Sequence, residues 1–178
     1  MHPIRKRNRL HGYDYSSNAM YFVTSCVKDR ICYFGEIKNY KMLLNEHGKI
    51  AQHQFEWLPQ QYPYVIVHSC VVMPNHVHAI IEIYNARDVR TGRDVGTGRD
   101  LSLPPPPSSI EKIKSLSELM GAYKTTVSKQ IHLAGLPGFA WQRSFHDHII
   151  RNKTSYLHIS NYIENNPFNW NNDKFYNR

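Results

Sequence analysis

The chain has 178 residues, of which 41% are hydrophobic, and its formal net charge at pH 7 is +8. This length and apolar content indicate one globular domain over residues 1–178. No apolar run approaches the ~20 residues that cross a bilayer, and residues 1–9 lack the apolar segment of a signal peptide. We therefore expect a cytoplasmic protein without a membrane partner, and the charge makes nucleic acid the first partner to consider.

Basic residues are concentrated near the N-terminus. Residues 1–18 form a predicted arm that carries Arg5, Lys6, Arg7 and Arg9. Charge alone does not separate a solvated tail from an arm that contacts DNA phosphates, and both interpretations stay open here.

The first predicted elements are a strand and a helix. Residues 19–27 are rich in aromatic and β-branched side chains, which favours a strand. From about residue 39 to residue 58, apolar side chains recur at intervals of three and four residues, which predicts an amphipathic helix despite Gly48. The recurring positions are Tyr40, Leu43, Leu44, His47, Ala51 and Phe55.

A predicted β-hairpin at residues 64–84 carries the most informative motif. Two apolar runs flank Met73-Pro74-Asn75, a sequence typical of a tight connection. Because side chains of a strand alternate between faces, His76 and His78 share one face and Val77 takes the other. Two imidazoles can then share one metal ion. On these three residues alone, ordinary half-buried histidines are the simpler interpretation.

Residues 85–108 have a different composition from the rest of the chain. A six-residue repeat that begins at Arg87, Arg93 and Arg99 leads into a run of prolines at 104–107. Three short polar copies do not make a solenoid, so we expect an exposed, flexible insertion loop without a catalytic role. Electrostatic contacts between its arginines and DNA are a second interpretation.

A long helix is predicted to follow this loop. Ser108 and Glu111 have the spacing of a capping box. One face is apolar and packs into the core, and the helix ends before the Gly135–Gly138 turn. The apolar positions are Ile110, Ile113, Leu116, Leu119, Met120, Tyr123, Val127 and Ile131. The opposite face is solvated or lies along a nucleic acid backbone, and its lysines are Lys112, Lys114, Lys124 and Lys129.

A second pair of histidines lies in the predicted strand that ends at residue 150. His146-Asp147-His148 is a rival metal site, which ranks below the first because an acidic residue is a poor buried anchor between two ligands. Either histidine could instead contact a phosphate, as could Arg143 and Arg151, which bracket this segment.

The last predicted helix runs from residue 154 to residue 166, with Thr154 or Ser155 as its cap. Tyr162 and Asn166 are four residues apart and so lie on one face of this helix. On spacing alone, a core aromatic residue followed by a helix cap is the simpler interpretation of this pair.

Taken together, these motifs resemble REP-associated tyrosine transposases, which are similar to the single-tyrosine transposases of small insertion sequences in the HUH endonuclease superfamily. The resemblance covers nearly the whole chain outside residues 85–108. Its motifs, in order, are Arg7-Asn-Arg-Leu10, Gly12-Tyr-Asp-Tyr15, Tyr21-Phe-Val-Thr24, Met73-Pro-Asn-His-Val-His78, Trp141-Gln-Arg143, His148-Ile-Ile-Arg151 and Tyr162-Ile-Glu-Asn-Asn-Pro167.

The resemblance implies an α+β fold, a ferredoxin-like antiparallel sheet with helices on one face. It implies that His76 and His78 bind magnesium or manganese and that Tyr162 is the nucleophile. The third metal ligand of such sites lies one helical turn beyond the nucleophile, which is the position of Asn166. Insertion-sequence members carry glutamine there, and the shorter side chain of asparagine requires a closer approach of the helix.

The implied function is that of a transposase that nicks and rejoins single-stranded DNA at hairpins of repetitive palindromic elements, through a 5′-phosphotyrosine intermediate. The implied partner is a single-stranded DNA hairpin, and relatives that occur as dimers or as monomers leave a homodimer open. The residues expected to contact DNA are Arg5, Lys6, Arg7, Arg9, Lys124, Arg143, His146 and Arg151.

Two alternatives remain at this level. A protein that binds DNA hairpins without cutting them would have no need of His76, His78 and Tyr162. A replication initiator or relaxase of the same superfamily usually has a longer chain and often a pair of tyrosines, which the last helix lacks.

Overall fold

A four-stranded antiparallel sheet organises the computed structural model, which describes residues 9–84 and 112–176. The strand order in this sheet is β4-β5-β1-β6, and β2 and β3 pair with each other in a separate hairpin. The strands are β1 (Ala19–Cys26), β2 (Gly35–Lys38), β3 (Lys41–Leu44), β4 (Val65–Val72), β5 (His76–Ile83) and β6 (His146–Ile150). The helices are α1 (Glu46–Gln61), α2 (Leu116–Leu133) and α3 (Lys153–Glu164).

The order β1-α1-β4-β5-α2-β6, with its central antiparallel pair β5 and β1, is the connectivity of a ferredoxin-like fold. This confirms the predicted fold class. Val77, Ala79 and Ile81 of β5 face the main core, to which α1 and α2 contribute Phe55 and Tyr123. The two long helices therefore share one face of the sheet.

The final helix forms a second layer on the opposite face, so the prediction of helices on one face holds for α1 and α2 and was wrong for α3. Ile159 and Ile163 of α3 pack against Ile80 of β5 and Ile150 of β6 in a smaller apolar cluster. Because side chains of β5 alternate, His76 and His78 lie on the same face as Ile80. The helix that carries Tyr162 thus lies on the face to which the two histidines point.

The predicted hairpin at residues 64–84 is confirmed. Strands β4 and β5 pair antiparallel, and Val72 lies opposite Val77 beside the connection. The register shifts between Val67 and Ser69, so His68 is an extra residue in β4.

The helix predicted over residues 39–58 was wrong in its first part. Asn39 and Tyr40 have positive φ angles of 50° and 61° and form the turn between β2 and β3. Leu43 and Leu44 lie in β3, whose four residues alternate between exposed and half-buried. Helix α1 begins only at Glu46, where the Asn45 side chain accepts a hydrogen bond from the Gly48 amide.

Other predicted boundaries shift as well. Helix α2 begins at Leu116, and its capping box is formed by Ser115 and Glu118. Helix α3 is capped by Asn152 instead of Thr154 or Ser155. Outside the described residues lie the predicted box of Ser108 and Glu111, the 85–108 loop and Arg5, Lys6 and Arg7. Among the helices of residues 9–84 and 112–176, none combines the length and the apolar character that crossing a membrane requires.

Candidate active site

The two histidines of β5 converge on one point, as the alternation of side chains predicted. The Nε2 atoms of His76 and His78 are 3.0 Å apart. Both side chains are buried, with 0% and 1% of their surface exposed. Phe175 packs 4.6 Å from the His76 ring and Phe22 stacks 5.2 Å from the His78 ring, measured between centroids. The pair is therefore held in place by aromatic packing on both sides.

Asn75 fixes the protonation of His76. Its amide nitrogen donates to the backbone carbonyls of Arg30, at 3.1 Å, and Phe175, at 2.8 Å. These two bonds turn the amide oxygen towards His76, whose Nδ1–H donates to it over 2.9 Å. The lone pair of His76 is then on Nε2, where it accepts a hydrogen bond from His78 Nε2–H in the metal-free chain, and the same lone pair is the one that would bind a metal ion.

The Nδ1 atom of His78 also has a side-chain partner, the hydroxyl of Thr24. The two residues are direct partners across the pairing of β1 with β5, and the Thr24 hydroxyl lies 2.8 Å from His78 Nδ1. A hydroxyl can donate or accept, so Thr24 fits either tautomer of the ring. When His78 Nε2 binds a metal, the Nδ1–H donates to Thr24.

Burial keeps both imidazoles neutral at pH 7. Desolvation lowers the pKa of His76 to about 4. Desolvation and the neighbouring His76 hold the pKa of His78 well below its usual range. Because only neutral imidazole binds a metal ion, the site is ready to bind one at physiological pH.

Tyr162 reaches the same point from α3. Its hydroxyl lies 3.4 Å from His78 Nε2 and donates to the Asp173 carboxylate over another 3.4 Å. The side chain is 38% exposed, so the hydroxyl is not sealed inside the protein. Burial and then the charge of Asp173 raise the pKa of Tyr162 to about 12. The phenol is protonated at neutral pH and needs nearby positive charge to become a nucleophile.

Asn166 and Asp173 complete the group. The Asn166 amide nitrogen donates to Asp173 Oδ2 over 3.1 Å, and its amide oxygen is buried without a hydrogen-bond partner. Asp173 was missed by the sequence interpretation, because it lies in an irregular segment whose composition singles out no residue. A hard cation prefers oxygen ligands, so an acidic ligand could be expected. The sequence does not show which acidic residue of the chain it would be.

These residues fit a divalent metal ion. The ligand atoms of His76, His78 and Asp173 all lie within 4.8 Å of one another, and among the described residues this is the one such group of His, Cys, Asp and Glu. A buried amide oxygen without a partner, on Asn166, is a natural additional donor. The set would give two imidazole nitrogens, a carboxylate oxygen and an amide oxygen. Such mixed nitrogen and oxygen ligands suit manganese better than magnesium but are compatible with both.

Within the described residues, the side chains predicted to contact DNA do not all lie at this site, because the cleft that contains two of them is beside α2, on the other face of the sheet. Arg143 and Lys124 line a cleft of about 690 Å³ between α2 and residues 139–143. Lys124 of α2 also connects the two sides of this cleft, because its ammonium donates to the backbone carbonyls of Gln142 and Ser144. Arg151 is exposed just after β6, and His146 is an exposed residue of that strand.

The expectation that Asp147 is an unsuitable buried residue was wrong. Its side chain is only 2% exposed and lies 4.0 Å from Arg9. The Arg9 guanidinium also lies over the rings of Phe145, at 4.9 Å, and Tyr15, at 5.9 Å. Arg9 therefore places a positive charge near a buried carboxylate oxygen that has no hydrogen-bond partner among the described residues, and it packs the N-terminal segment against β6.

Comparisons with known proteins agree with this architecture. No protein-family model matches the sequence. An uncharacterised protein of Haemophilus influenzae is 34% identical over 172 residues, which cover 97% of this chain and 93% of that protein. The structure of a REP-associated tyrosine transposase bound to a REP hairpin is similar with a TM-score of 0.55 and 19% identity, over 93% of this chain and 74% of that one. The chain thus belongs to the same family as the Haemophilus influenzae protein and has the fold of a REP-associated tyrosine transposase.

Proposed function

We propose that this protein is a metal-dependent transposase that nicks and rejoins single-stranded DNA at hairpins through a covalent bond to Tyr162. The observation that carries this proposal is the convergence of the Tyr162 hydroxyl, the His76–His78 pair and Asp173 at one place in a single chain. The structural neighbour, which is bound to a REP hairpin, supports a DNA hairpin as the substrate class.

His76, His78 and Asp173 would hold the ion, with the amide oxygen of Asn166 as a further donor. When bound, magnesium or manganese supplies positive charge that favours the phenolate and stabilises the charge developing on the scissile phosphate. Asn75 and Thr24 orient the two imidazoles through their Nδ1 atoms.

Tyr162 is the proposed nucleophile. Its oxygen attacks the phosphorus of the DNA backbone and displaces the 3′-oxygen, which takes up a proton from water and leaves as a 3′-hydroxyl. The DNA strand is then joined to the protein by a 5′-phosphotyrosine bond. Asp173 Oδ2 orients the phenol and lies in position to accept its proton. Because the phosphodiester energy is kept in the covalent bond, attack by another 3′-hydroxyl reverses the reaction and joins strands.

The charge of the chain suits this substrate. A net charge of +8 attracts a polyanion, and Arg143, Arg151 and His146 are the proposed phosphate contacts within the described residues. Arg5, Lys6 and Arg7 are the proposed contacts of the N-terminal arm. Arg9 is assigned a positioning role instead, because its guanidinium faces Asp147 and two aromatic rings.

The direct test is a denaturing gel. Radiolabelled single-stranded repeat hairpins from the source genome are incubated with the protein and magnesium or manganese. We expect a covalent DNA adduct with wild-type protein and none with Tyr162→Phe. Tyr156→Phe is the matched control, because Tyr156 lies on the same helix but packs against His68 away from the two histidines, so its adduct should equal that of wild type.

Chelation provides the second arm of this test. EDTA should abolish the adduct, and excess manganese should restore it. Hairpin binding without any adduct, from folded wild-type protein with either metal, would contradict the proposal and favour a hairpin-binding protein that does not cut DNA.

A further inference from the structure

Two aromatic side chains form an exposed pair close to the candidate active site. Tyr40, in the turn between β2 and β3, is 63% exposed, and Phe168, just after α3, is 62% exposed. Their ring centroids are 4.8 Å apart at an interplanar angle of 34°. Rings that lie this far out of the core gain little from burial, so packing alone does not account for two of them meeting on the surface.

The backbone at Tyr40 is unfavourable for tyrosine. Asn39 and Tyr40 occupy the two central positions of a two-residue hairpin turn, and both have positive φ angles. Asparagine and glycine tolerate that conformation, whereas a bulky side chain there is strained. Glycine would make the turn at lower cost, so the aromatic ring itself is the feature that this position supplies.

Two lysines flank the turn. Lys38 and Lys41 are paired across the hairpin directly beside the turn. Like charges in such a pair are unfavourable to the hairpin itself. Glu36 lies 2.6 Å from Lys38 and offsets one of the two charges, which leaves Lys41 exposed next to Tyr40. A basic group beside an exposed aromatic ring is the pattern with which proteins bind single strands.

Phe168 lies close in sequence to a residue of the candidate active site. It follows Pro167 and lies two residues beyond Asn166, so their α-carbons are at most about 7 Å apart. The same turn is fixed by hydrogen bonds from the Asn169 amide to the carbonyls of Asn165 and Asn166. Phe168, and through its ring Tyr40, is therefore held next to the segment that carries Asn166.

We propose that Tyr40 and Phe168 form a stacking platform for an unpaired base of the DNA, adjacent to the phosphate that Tyr162 attacks. Lys41 contacts the backbone of the same nucleotide. The choice of DNA as the ligand depends on the proposed function, whereas the platform is assigned from its own geometry. Because every base has a π-face, this platform holds the strand without selecting its sequence.

The probe is a DNA hairpin with a short single-stranded extension that contains the fluorescent base 2-aminopurine, made in two forms with the extension on the 5′ or the 3′ side. The same hairpin without an extension is the reference. All variants carry Tyr162→Phe, so that binding is measured without cleavage. We expect stronger binding of one extended form than of the reference, with quenching of the fluorescence by stacking.

Tyr40→Ala and Phe168→Ala should each weaken binding of that extended form by about 5- to 100-fold and leave binding of the reference hairpin unchanged. Tyr40→Phe keeps the ring and should bind within about twofold of its parent. Tyr40→Gly removes the ring and relieves the strained φ, so its thermal midpoint should equal or exceed that of the parent while its affinity falls.

Equal affinity of the parent and both alanine variants for the extended hairpin would overturn this proposal, as would an equal loss for both kinds of hairpin. The outcome is separable from that of the gel assay. If protein with an intact Tyr162 stacks the base but forms no adduct, the transposase chemistry is contradicted and the platform is supported. If an adduct forms without stacking, the platform is contradicted and the transposase chemistry is supported.

Discussion

At the scale of single residues, the neighbours of a histidine pair decide whether it is a metal site. His146 and His148 have the same spacing as His76 and His78 and also share one face of their strand. The pair in β6 is exposed, whereas the pair in β5 is buried and oriented by Asn75 and by Thr24. The motif therefore supplies two imidazoles, and the surrounding residues make only one of the two pairs a candidate set of metal ligands.

Asn75 gives the sharpest test of this orientation. Asn75→Ala removes the acceptor that holds His76 Nδ1–H and also the amide that donates to the backbone carbonyls of Arg30 and Phe175. We expect manganese affinity, measured by titration calorimetry, to fall by about 10- to 100-fold. The free energy of unfolding should fall by about 1–3 kcal/mol, so the titration is made well below the melting temperature.

Thr24→Ser is the matched control for this experiment, because serine keeps the hydroxyl that faces His78 Nδ1. Its manganese affinity should remain close to that of wild type. Manganese binding by Asn75→Ala at wild-type strength would show that the tautomer of His76 does not depend on Asn75.

The buried imidazoles also predict how stability depends on pH. The pKa of His76 is lowered to about 4 in the folded state, against an ordinary value near 6.5 in the unfolded chain. Between these values the unfolded chain binds more protons, so the metal-free protein should lose stability as the pH falls from about 6.5 to about 4. Urea unfolding in EDTA across this range measures the loss, and His76→Gln, which does not titrate, should show a weaker dependence on pH.

At the scale of elements, long periodic segments were predictable and short irregular ones were not. The β4–β5 hairpin and helix α2 were predictable from the pattern of their apolar residues. Motifs singled out His76, His78 and Tyr162. The β2–β3 hairpin was missed because Leu43 and Leu44 fit helical spacing and its turn contains no glycine. Asp173 lies in an irregular segment, and only the folded chain brings it to the histidines.

Two glycines in helices predict opposite effects of the same substitution. A Cβ at Gly48 of α1 would lie 2.1 Å from the Phe34 carbonyl oxygen, which is fixed by a hydrogen bond from the Asn45 amide. A Cβ at Gly121 of α2 would meet nothing within 4 Å. Gly48→Ala should destabilise the protein by about 1–3 kcal/mol, whereas Gly121→Ala should stabilise it by roughly 0.5–1 kcal/mol.

Urea denaturation of both variants measures these changes in the free energy of unfolding. Gain of stability in both would mean that helix propensity alone governs the two positions and that the close approach of Phe34 to α1 is relaxed at little cost.

At the scale of the whole molecule, the two faces of the sheet have different tasks. The face covered by α1 and α2 holds the larger core, which includes stacked rings of Phe55 and Tyr123 with centroids 4.2 Å apart. The other face holds a smaller apolar cluster under α3 and, beside it, the buried histidines. The larger core thus packs against one face of β5. On the other face, the segment after α3 brings Asp173 to the histidines.

One chain supplies every member of the proposed site, and this predicts that Tyr162 acts on DNA bound by its own histidines. The Tyr162 hydroxyl lies 3.4 Å from His78 Nε2 without exchange of helices between copies. A mixture of the His76→Ala and Tyr162→Phe variants should therefore form no covalent adduct, because neither chain combines metal ligands with a nucleophile. If the tyrosine instead served a partner's histidines, mixed dimers would regain one intact site and a substantial part of wild-type adduct. The measurement is the denaturing gel of the mixture after subunits have been given time to exchange, with wild type diluted into either variant to set the scale.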